Sequence, residues 1–474
     1  MPQKITIEPV TRIEGHAKIT IRLNDDGNVE RAYLHINEFR GFEKFCEGRM
    51  FFEMPMITPR ICGICPVSHH LASAKACDAI VGAIPPRPAK LLRSLMHHAQ
   101  ILQSHGMHFF ELAGPDLLLG WDYDPALRNV VGLLQANPEL AVKAVQLRKF
   151  GQEIIKTLGG RKVHPNFAVP GGVNKVLTAQ ERDIILADYD QNLETILTGI
   201  NIFKGWAEKN MEDVQKFAVF PTGYMGLVTP EGSLELYDGE ILLTDQFGKQ
   251  LERFDPKDYL LYIREHVEDW SYLKFPYYIK MGYPQGVYRV GPLGRCNIAK
   301  QIDTPLANEA WKEYRKINNG KPIENTLYYH YARLIETLFA IEKIHALLDD
   351  KDIMSNEIMN TRQEFTGKGV GVLEAPRGTL IHDYSTDENG KLLKVNLIVS
   401  TGHNNWAMCE AVDSVAKTYI KNGDVREGLL NRVEAAVRAH DPCLSCSTHA
   451  VGQMPMHVSI FNAEGALINE LIKN

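Results

Sequence analysis

Two short cysteine motifs carry the most specific chemistry in this sequence. Cys62 and Cys65 are separated by two residues, and Cys443 and Cys446 repeat that spacing near the other end of the chain. A CxxC loop turns two thiolates toward one ion, and thiolates are soft donors that suit zinc, iron or nickel better than magnesium or calcium. If both pairs serve one centre, the two ends of the chain must meet around it.

Spacing alone leaves three interpretations of these motifs open. One is a structural zinc site with four cysteines, although zinc ribbons close their two pairs within about 15–20 residues. The second is two independent redox motifs, and the third is a catalytic metal centre. The remaining cysteines are isolated in the sequence, so we expect them to be ordinary core thiols; they are Cys46, Cys77, Cys296 and Cys409.

Several other side chains near these motifs could take part in chemistry. Each cysteine pair is followed by a histidine, His69 or His449, which could bind a metal or donate a hydrogen bond to a thiolate. Glu14 lies in a run rich in Ile and Thr, Glu43 lies in a charged and aromatic stretch, and Arg377 follows a strand-like run. Taken singly, each of these three charges is typical of a strand end or a surface turn.

The elements that must position these residues alternate between strand-like and helix-like blocks. Alternating β-branched residues and a DDGN turn predict strands in residues 4–36. Apolar periodicity predicts one long helix over 180–217, another over 325–348, and further helices within 71–158 and 405–440. It also predicts strands within 219–291 and 369–401 and a small hairpin within 455–472. The expected fold class is α+β and helix-rich. Because no long linker is evident, residues 1–474 are expected to form one unit.

Composition excludes several classes of protein. The chain has 474 residues and a formal net charge of −6, which gives no reason to expect a nucleic-acid partner. Hydrophobic residues make up 45% and charged residues 23%, as in ordinary globular proteins. No stretch reaches the roughly 18 apolar residues of a membrane helix, and the sequence MPQKITIEPV has no apolar secretory core. We therefore expect a cytoplasmic protein without a membrane span.

Taken together, these segments resemble the large, catalytic subunit of nickel–iron hydrogenases. The motifs that carry the resemblance follow the family's order: RIEGH at 12–16, RGFE at 40–43, RICGICPVSH at 60–69, HPNFAVPGGV at 164–173, EAPRG at 374–378 and DPCLSCSTH at 441–449. WSYLKFPYY at 270–278 and GVYRVGPLGR at 286–295 look most like the cytoplasmic, bidirectional, NAD-linked branch. The resemblance implies the large-subunit fold, with long central helices and peripheral β-sheets.

The resemblance implies a role for each of the paired cysteines. Cys62 and Cys443 would bind nickel terminally, whereas Cys65 and Cys446 would bridge nickel to iron. The iron would also carry carbonyl and cyanide ligands, which no side chain can provide and which maturation proteins must install.

The same resemblance assigns residues around the metals. Glu14 would relay protons to or from the Cys446 thiolate. Arg377 would lie over the open face of the metals and, with Pro376 and Ser400, would surround the diatomic ligands, whereas Asp441 would help to hold Arg377. The resemblance thus implies catalytic roles for Glu14 and Arg377 and supporting roles for Pro376, Ser400 and Asp441.

Three further positions follow from the resemblance. His69 would donate a hydrogen bond to a bridging sulfur. Glu43 and His449 would match ligands of a separate magnesium or similar hard ion near the C-terminus. Ser104 occupies a place where many uptake relatives carry an aspartate, so a carboxylate beside Arg377 is expected to be missing.

Partners are implied by what the chain lacks. It has no further cysteine group for a cluster and no GxGxxG motif that opens a helix after a strand. Iron–sulfur clusters, FMN and NAD are therefore expected on other chains, namely diaphorase subunits together with a small iron–sulfur subunit. In the family the chain is cut beyond the last motif, so residues 451–474 are expected to be removed by a maturation endopeptidase after nickel-insertion proteins have acted.

The expected function is reversible dihydrogen cleavage with electrons exchanged with NAD(H) through the partners. One alternative is a hydrogenase of another branch, with a deazaflavin, ferredoxin or disulfide acceptor. Others are a structural zinc protein and a scaffold like the related subunit of respiratory complex I. That relative has lost the metal cysteines, and all four are present here.

Overall fold

Helices dominate the computed structural model, which describes residues 4–38, 41–362, 364–448, 456–461 and 466–473. The α-helices are α1 Phe42–Cys46, α2 Met54–Ile57, α3 Pro66–Ile80, α4 Arg87–Met107, α5 Val130–Ala136, α6 Pro138–Gly159, α7 Ala179–Ala187, α8 Tyr189–Lys209, α9 Met211–Lys216, α10 Gly291–Ile298, α11 Pro305–Lys316, α12 Tyr328–Leu348, α13 Ser400–His403, α14 Asn405–Tyr419, α15 Glu427–Ala439 and α16 Leu444–Ser447. Short 3₁₀ turns at Phe51–Glu53, Thr58–Ile61 and Pro256–Leu261 complete the helical segments together with π-helical turns at His108–Ala113 and Pro115–Leu119.

The strands form several small sheets of two to four strands each. They are β1 Lys4–Ile7, β2 Lys18–Leu23, β3 Val29–His35, β4 Ala168–Val169, β5 Gly172–Val173, β6 Gly223–Val228, β7 Glu240–Thr244, β8 Gln250–Phe254, β9 Ile263–Glu268, β10 Ser271–Tyr278, β11 Tyr288–Arg289, β12 Lys368–Ala375, β13 Gly378–Thr386, β14 Leu392–Ile398, β15 Met456–Phe461 and β16 Leu467–Lys473. Strand order is β1-β2-β3, β11-β6-β7-β8 and β12-β13-β14 in the larger sheets. The predicted α+β class is confirmed, and β15 and β16 pair as the predicted hairpin.

The centre of the molecule is a bundle of long helices. α4 packs against α6 and α12, and α12 also packs against α8. Every residue of α4 from 95 to 107 and of α12 from 328 to 342 is buried. A helix that is buried on all faces needs neighbours on every side, so these two helices form the core around which the sheets are arranged.

The predicted single helix over 180–217 is wrong in its continuity, because the structure divides it into α7, α8 and α9. The breaks fall at Asp188 and Asn210, whose backbones leave the helical region. The side-chain amide of Asn210 donates to the backbone carbonyl of Trp206 at 2.8 Å. Such local side-chain hydrogen bonds compete with the helical backbone pattern, and apolar periodicity does not register them.

The apolar run after α4 continues the helix as two π-helical turns and ends at Gly120, which has a φ of 99°. Within the described part of the chain, none of the helices combines the length and apolarity that crossing a bilayer requires.

Candidate metal centre

Four buried sulfur atoms from opposite ends of the chain form one cluster. The Sγ atoms of Cys62, Cys65, Cys443 and Cys446 all lie within 4.8 Å of one another. The Sγ atoms of Cys62 and Cys443 are 3.3 Å apart, far longer than the roughly 2.05 Å of a disulfide, and the cysteines are free. This spacing leaves room for ions that the four sulfurs share.

The first pair lies in the loop between a 3₁₀ turn and α3. Pro66 fixes the first turn of α3 directly after Cys65. The amides of Ile64 and Cys65 both donate to Cys62 Sγ, at 3.2 and 3.3 Å. These backbone donors hold the Cys62 sulfur in place within the loop.

The second pair flanks the start of α16. The amide of Cys443 donates to the Thr401 hydroxyl at 3.0 Å, and the Ser447 hydroxyl donates to the Cys443 carbonyl at 3.1 Å. Asp441, just upstream, has a φ of 53°. A positive φ at a non-glycine residue is uncommon, and here it turns the chain from α15 into the cysteine loop.

The N-terminal RIEGH segment closes over the second pair. Glu14 forms a parallel β-bridge with Cys443, and the Glu14 carboxylate accepts from the amide of Ser445 at 3.1 Å. Gly15 has a φ of 83°, and a Cβ there would lie 2.8 Å from the Ser445 nitrogen. Only glycine therefore allows this close approach, which brings a carboxylate beside the cysteine loop.

A buried ion-pair cluster anchors the RIEGH segment to the helices. Arg12 donates to both oxygens of Asp116, at 3.0 and 2.5 Å, and Arg438 donates to the same carboxylate at 2.6 Å. Burial alone would raise the pKa of Asp116, but the charges of Arg438 and Arg12 outweigh it and hold the pKa below its usual value. The carboxylate therefore stays ionised and binds Arg12. Because Glu14 is only two residues further along the chain, this contact also restricts the position of Glu14.

Arg377 is fully buried beside the cluster, at the turn between β12 and β13. Its Nε donates to the Asp441 carbonyl at 2.8 Å, and one Nη donates to the Asp441 carboxylate at 3.0 Å. The other Nη lies 3.3 Å from the Ser104 hydroxyl, where the sequence predicted a missing carboxylate. Burial would lower the pKa of Arg377, but Asp441 and then Cys443 raise it well above its usual value. The guanidinium therefore stays charged.

Pro376, which precedes this arginine, is buried, and so is Ser400, whose neighbour Thr401 accepts from the Cys443 amide. The Pro376 carbonyl accepts from Arg295 at 3.4 Å, and Arg295 also pairs with Glu336 and Glu374 in the buried core. The Ser400 hydroxyl is buried without a hydrogen-bond partner among the described residues. An unpaired buried hydroxyl is costly, so this atom is available to a ligand of the centre.

Protonation within the cluster is uneven. Hydrogen bonds from Cys443 and Cys446 are the main cause of a Cys65 pKa well below its usual value, and Cys62 and His69 contribute as well. Burial raises the pKa of the Cys443 and Cys446 thiols well above their usual value. Because a thiol must lose its proton to bind a metal, the raised pKa values predict that metal binding releases protons from the second pair.

The predicted hard-ion site is only partly described. Glu43 is buried in α1, and its carboxylate accepts from the amide of Leu397 in β14 at 2.6 Å. His449, the other predicted ligand, lies outside the described residues.

The donor set at the cysteine cluster suits a soft-metal centre. Four sulfur atoms lie within 4.8 Å of one another, a permanently charged guanidinium lies beside them, and polar atoms of His69, Ser400 and Asp441 are buried without partners among the described residues. Soft sulfur ligands favour nickel, iron or zinc.

Comparison with known proteins decides among these metals at the level of family. A family model described as nickel-dependent hydrogenase matches residues 40–128 and 243–449, and a model described as HoxL-like matches residues 4–39. The chain belongs to the nickel-dependent hydrogenase family. The prediction of a nickel–iron hydrogenase large subunit, an enzyme of dihydrogen cleavage and formation, is thereby confirmed.

Full-length relatives within this family are similar over nearly the whole chain. The NAD-reducing hydrogenase HoxS subunit beta of Cupriavidus necator is 46% identical over 486 residues, covering 99% of both chains. The vhu F420-non-reducing hydrogenase of Methanocaldococcus jannaschii has a subunit that is 47% identical over 418 residues, covering 88% of this chain and 100% of the relative.

A solved relative confirms the large-subunit fold. The crystal structure of an NAD+-reducing NiFe hydrogenase in the H2-reduced state superposes with a TM-score of 0.91 at 45% identity, covering 94% of this chain and 99% of that one.

Sequence reasoning missed several residues of this hydrogenase site. Thr401, which accepts from the Cys443 amide, follows the predicted Ser400 and carries no signal of its own. His382, which contacts His69, could have been found as a histidine four residues beyond the EAPRG motif in a predicted strand. The isolated Cys46, Cys77, Cys296 and Cys409 are buried, as expected of core thiols.

Proposed function

We propose that Cys62, Cys65, Cys443 and Cys446 hold the nickel–iron centre of this hydrogenase. The observation that carries the proposal is the convergence of the four buried sulfurs within 4.8 Å. Cys62 and Cys443 would bind nickel alone, and Cys65 and Cys446 would bridge it to an iron that carries carbonyl and cyanide ligands. Nickel is a soft enough ion for such a thiolate set.

Arg377, Pro376 and Ser400 would form the wall that receives the diatomic ligands. Cyanide is an anion with a hydrogen-bonding nitrogen, and a guanidinium that cannot lose its proton is a suitable partner for it. The unpartnered Ser400 hydroxyl supports this role because it lacks another acceptor among the described residues. Asp441 would keep Arg377 in place through the two contacts described above.

The nickel–iron pair, when bound, supplies the Lewis acidity that makes dihydrogen acidic enough to be split heterolytically. The Cys446 thiolate would take the proton at Sγ. Glu14 would then carry it toward the surface, since its carboxylate is held beside the cysteine loop by the Ser445 amide and its side chain is partly exposed. In the direction of dihydrogen formation the same groups would deliver protons inward.

Electrons would leave through a small iron–sulfur subunit to diaphorase subunits that bind FMN and NAD(H). The near full-length likeness to the Cupriavidus necator protein supports this NAD-linked assignment. The chain is 47% identical to a subunit of an F420-non-reducing hydrogenase, so a hydrogenase with another electron acceptor is the second candidate. His69 would donate a hydrogen bond to the bridging Cys65, which agrees with its contribution to the lowered pKa of that thiol.

Maturation would follow the family's order in the cytoplasm. Nickel-insertion proteins would load the centre, and an endopeptidase would then remove residues 451–474, leaving residues 1–450 as a single catalytic unit. Glu43 and His449 would hold a magnesium ion, for which the burial of the Glu43 carboxylate near β14 is the available support.

Metal analysis and infrared spectroscopy of the anaerobically purified complex test the centre. We expect nickel and iron in near-equal amounts and infrared bands from carbonyl and cyanide. Zinc as the sole metal would contradict the proposal and favour a structural site.

Hydrogen-dependent reduction by the whole complex tests the acceptor. We expect NAD+ reduction under hydrogen, with a deazaflavin, ferredoxin and a heterodisulfide offered in parallel. Turnover with one of these three and none with NAD+ would place the enzyme in another branch.

A further inference from the structure

A buried guanidinium lies directly behind the tip of the β12–β13 hairpin. It belongs to Arg295, the last residue of the GVYRVGPLGR segment, and the side chain is fully buried. Its Nη1 atom donates to the Glu374 carboxylate at 2.7 Å and to the Ala375 carbonyl at 3.0 Å, and its Nη2 atom donates to the Pro376 carbonyl at 3.4 Å. The function proposed above gives Arg295 no role.

The hairpin tip is formed by Pro376 and Arg377, because Ala375 pairs with Gly378 across the two strands. Most hairpin tips lie at the protein surface, where water can bind their carbonyl groups. This tip is buried, so donors from the protein must replace the water. Arg295 supplies such donors to two consecutive carbonyl groups, those of Ala375 and Pro376, and therefore holds the backbone of the tip.

The other side of the Arg295 guanidinium is fixed to the core helix α12. Its Nε and Nη2 atoms donate to the two oxygens of the Glu336 carboxylate, both at 2.6 Å. Burial would lower the pKa of Arg295, but Glu336 and then Glu374 raise it above its usual value, so the guanidinium stays charged. Its five N–H donors match its contacts to the two carboxylates and the two carbonyl groups, whereas a lysine ammonium has three donors on one atom.

Glu336 also supports the helix that contacts the Arg377 side chain. Its Oε2 atom lies 2.9 Å from His105 Nε2 on α4, and the hydroxyl of the neighbouring Ser104 lies 3.3 Å from an Nη atom of Arg377. One carboxylate thus connects two supports of Arg377, which are Arg295 behind its backbone and α4 beside its guanidinium.

Two glycines let the GVYRVGPLGR segment lie against the tip itself. Gly291 has a φ of 80°, and a Cβ there would lie 2.8 Å from the Arg377 carbonyl oxygen. Gly378 has a φ of 138°, and a Cβ there would lie 2.2 Å from the Val290 side chain. The segment therefore contacts the tip twice, through its backbone near Gly291 and through the side chain of Arg295.

We propose that Arg295 is a positioning residue that holds the Pro376–Arg377 tip in the place from which Arg377 reaches the metal centre. This inference rests on the role proposed above for Arg377. Asp441 fixes the far end of the Arg377 side chain, whereas Arg295 fixes the backbone from which that side chain extends. The placement of a long side chain depends on both ends, and a shift of about 1 Å at a reacting site can cost about 100-fold in rate.

A double-mutant cycle in the complete, metal-loaded complex tests the inference. Arg295→Lys should lower hydrogen–deuterium exchange by about fivefold or more, with nickel and iron contents unchanged. The same change in an Arg377→Lys enzyme should lower exchange by less than about twofold, because the group that Arg295 positions is already absent. A general loss of packing would instead lower exchange equally in both backgrounds.

Crystal structures of the variants give a readout that does not depend on activity. In Arg295→Lys we expect the Pro376 carbonyl to be displaced and Arg377 to lose its 3.3 Å contact with the Ser104 hydroxyl. A tip that superposes on that of the unchanged enzyme would overturn the inference.

Arg93→Lys is the matched control for these measurements. Arg93 is equally buried and donates to the Asp78 carboxylate and to the Gly172 carbonyl, away from the hairpin tip. This variant should leave both the tip and the exchange rate unchanged. A loss of exchange as large as that in Arg295→Lys would show a general effect of opening a buried ion pair and would contradict the inference.

Glu336→Gln decides the matter if Arg295→Lys does not fold. The amide keeps the shape of the carboxylate and leaves Arg295 paired with Glu374, but it can no longer accept from both nitrogens of the guanidinium. We expect a displaced tip and lower exchange, and an undisplaced tip with full exchange would sink the inference.

The outcomes separate this inference from the proposed function. Full exchange in Arg295→Lys, or equal losses in both backgrounds, would overturn the inference and leave the proposed function standing. Full exchange in Arg377→Lys would instead overturn the proposed role of Arg377, and the inference with it.

Discussion

The carboxylate of Glu14 accepts a hydrogen bond from the amide of Ser445 at 3.1 Å, although the two residues are 431 positions apart in the chain. The next residue, Cys446, supplies one of the four clustered sulfurs. The proposed proton carrier, near the first strands, and a proposed metal ligand, in the last helix before residue 448, are thus connected through one backbone amide. The contact makes the position of the Glu14 carboxylate and the geometry of the cysteine loop depend on each other.

Replacing Glu14 with glutamine should slow proton exchange more than it disturbs the metals. The carbonyl of the new glutamine side chain can still accept from Ser445, but an amide cannot carry a proton, so hydrogen–deuterium exchange should fall by about 100-fold or more. Nickel and iron contents should stay unchanged. Glu8→Gln, a nearby exposed carboxylate paired with Lys18, is the control. Equal exchange rates in Glu14→Gln and the unchanged enzyme would remove Glu14 from the relay.

Replacing Cys446 with serine should abolish exchange activity and lower nickel and iron content. A serine hydroxyl is a hard donor that does not ionise at neutral pH, so it cannot replace a bridging thiolate. Cys296→Ala is the control, because this buried thiol lies outside the cluster. Elemental analysis and circular dichroism measure metal and fold. Exchange activity that persists in Cys446→Ser would refute the bridging role.

Replacing Arg377 with lysine should reduce hydrogen–deuterium exchange at least about tenfold, because a lysine cannot reproduce the planar fork of a guanidinium. The lost contacts to Asp441 and Ser104 should also cost about 1–3 kcal/mol of unfolding free energy, since they leave buried polar atoms unpaired. Arg93→Lys is the control, because Arg93 is equally buried and donates through two nitrogens to the two oxygens of Asp78. It should lose similar stability but retain exchange; a similar loss of exchange would show that the effect at Arg377 is structural.

Stability should fall as the pH drops below about 6.5. Burial lowers the pKa of His97 to about 3, of His105 to about 4 and of His440 to about 3. Near pH 6.5 the unfolded chain binds protons on these histidines, whereas the folded chain does not. Each histidine therefore lowers the free energy of unfolding by up to about 2 kcal/mol at pH 5.

The measurement for this pH effect is the unfolding temperature from pH 7 to pH 5. His97→Gln keeps a donor for the Glu374 carbonyl and should make the decline shallower. His16→Gln should leave the decline unchanged, because the His16 side chain is 75% exposed. An identical slope in His97→Gln and the unchanged enzyme would contradict the assignment.

The state of the C-terminal segment should follow metal loading. Intact-mass analysis of the nickel-loaded large subunit should show a chain that ends before residue 451, whereas nickel-free chain should retain residues 451–474. Full-length mass in an active, nickel-loaded preparation would contradict removal of this segment.

Local chemistry could be predicted from the sequence, because it depends on residue type and short spacing. The two CxxC motifs indicated a soft-metal site, and the RIEGH and EAPRG motifs brought Glu14 and Arg377 into consideration. The replacement of a carboxylate by Ser104 was also visible in the sequence, and the structure places its hydroxyl 3.3 Å from Arg377.

Long-range register could not be predicted, because it depends on how helices and strands pack. His69 and His382 are 313 positions apart, and their contact requires α3 to lie close against β12, as Gly371 permits. Likewise, the breaks at Asp188 and Asn210 depend on side-chain hydrogen bonds within a region of unbroken apolar periodicity. Pattern analysis of one sequence contains neither kind of information.

The origin of the four sulfurs at both ends of the chain has a consequence for biosynthesis. Two of the thiols leave the ribosome within the first 65 residues, but the other two are not made until residues 443 and 446. A translation product that stops early therefore lacks half of the proposed ligands, however well its central helices fold. Only a chain that has been synthesised as far as residue 446 can therefore provide all four sulfurs to the metals.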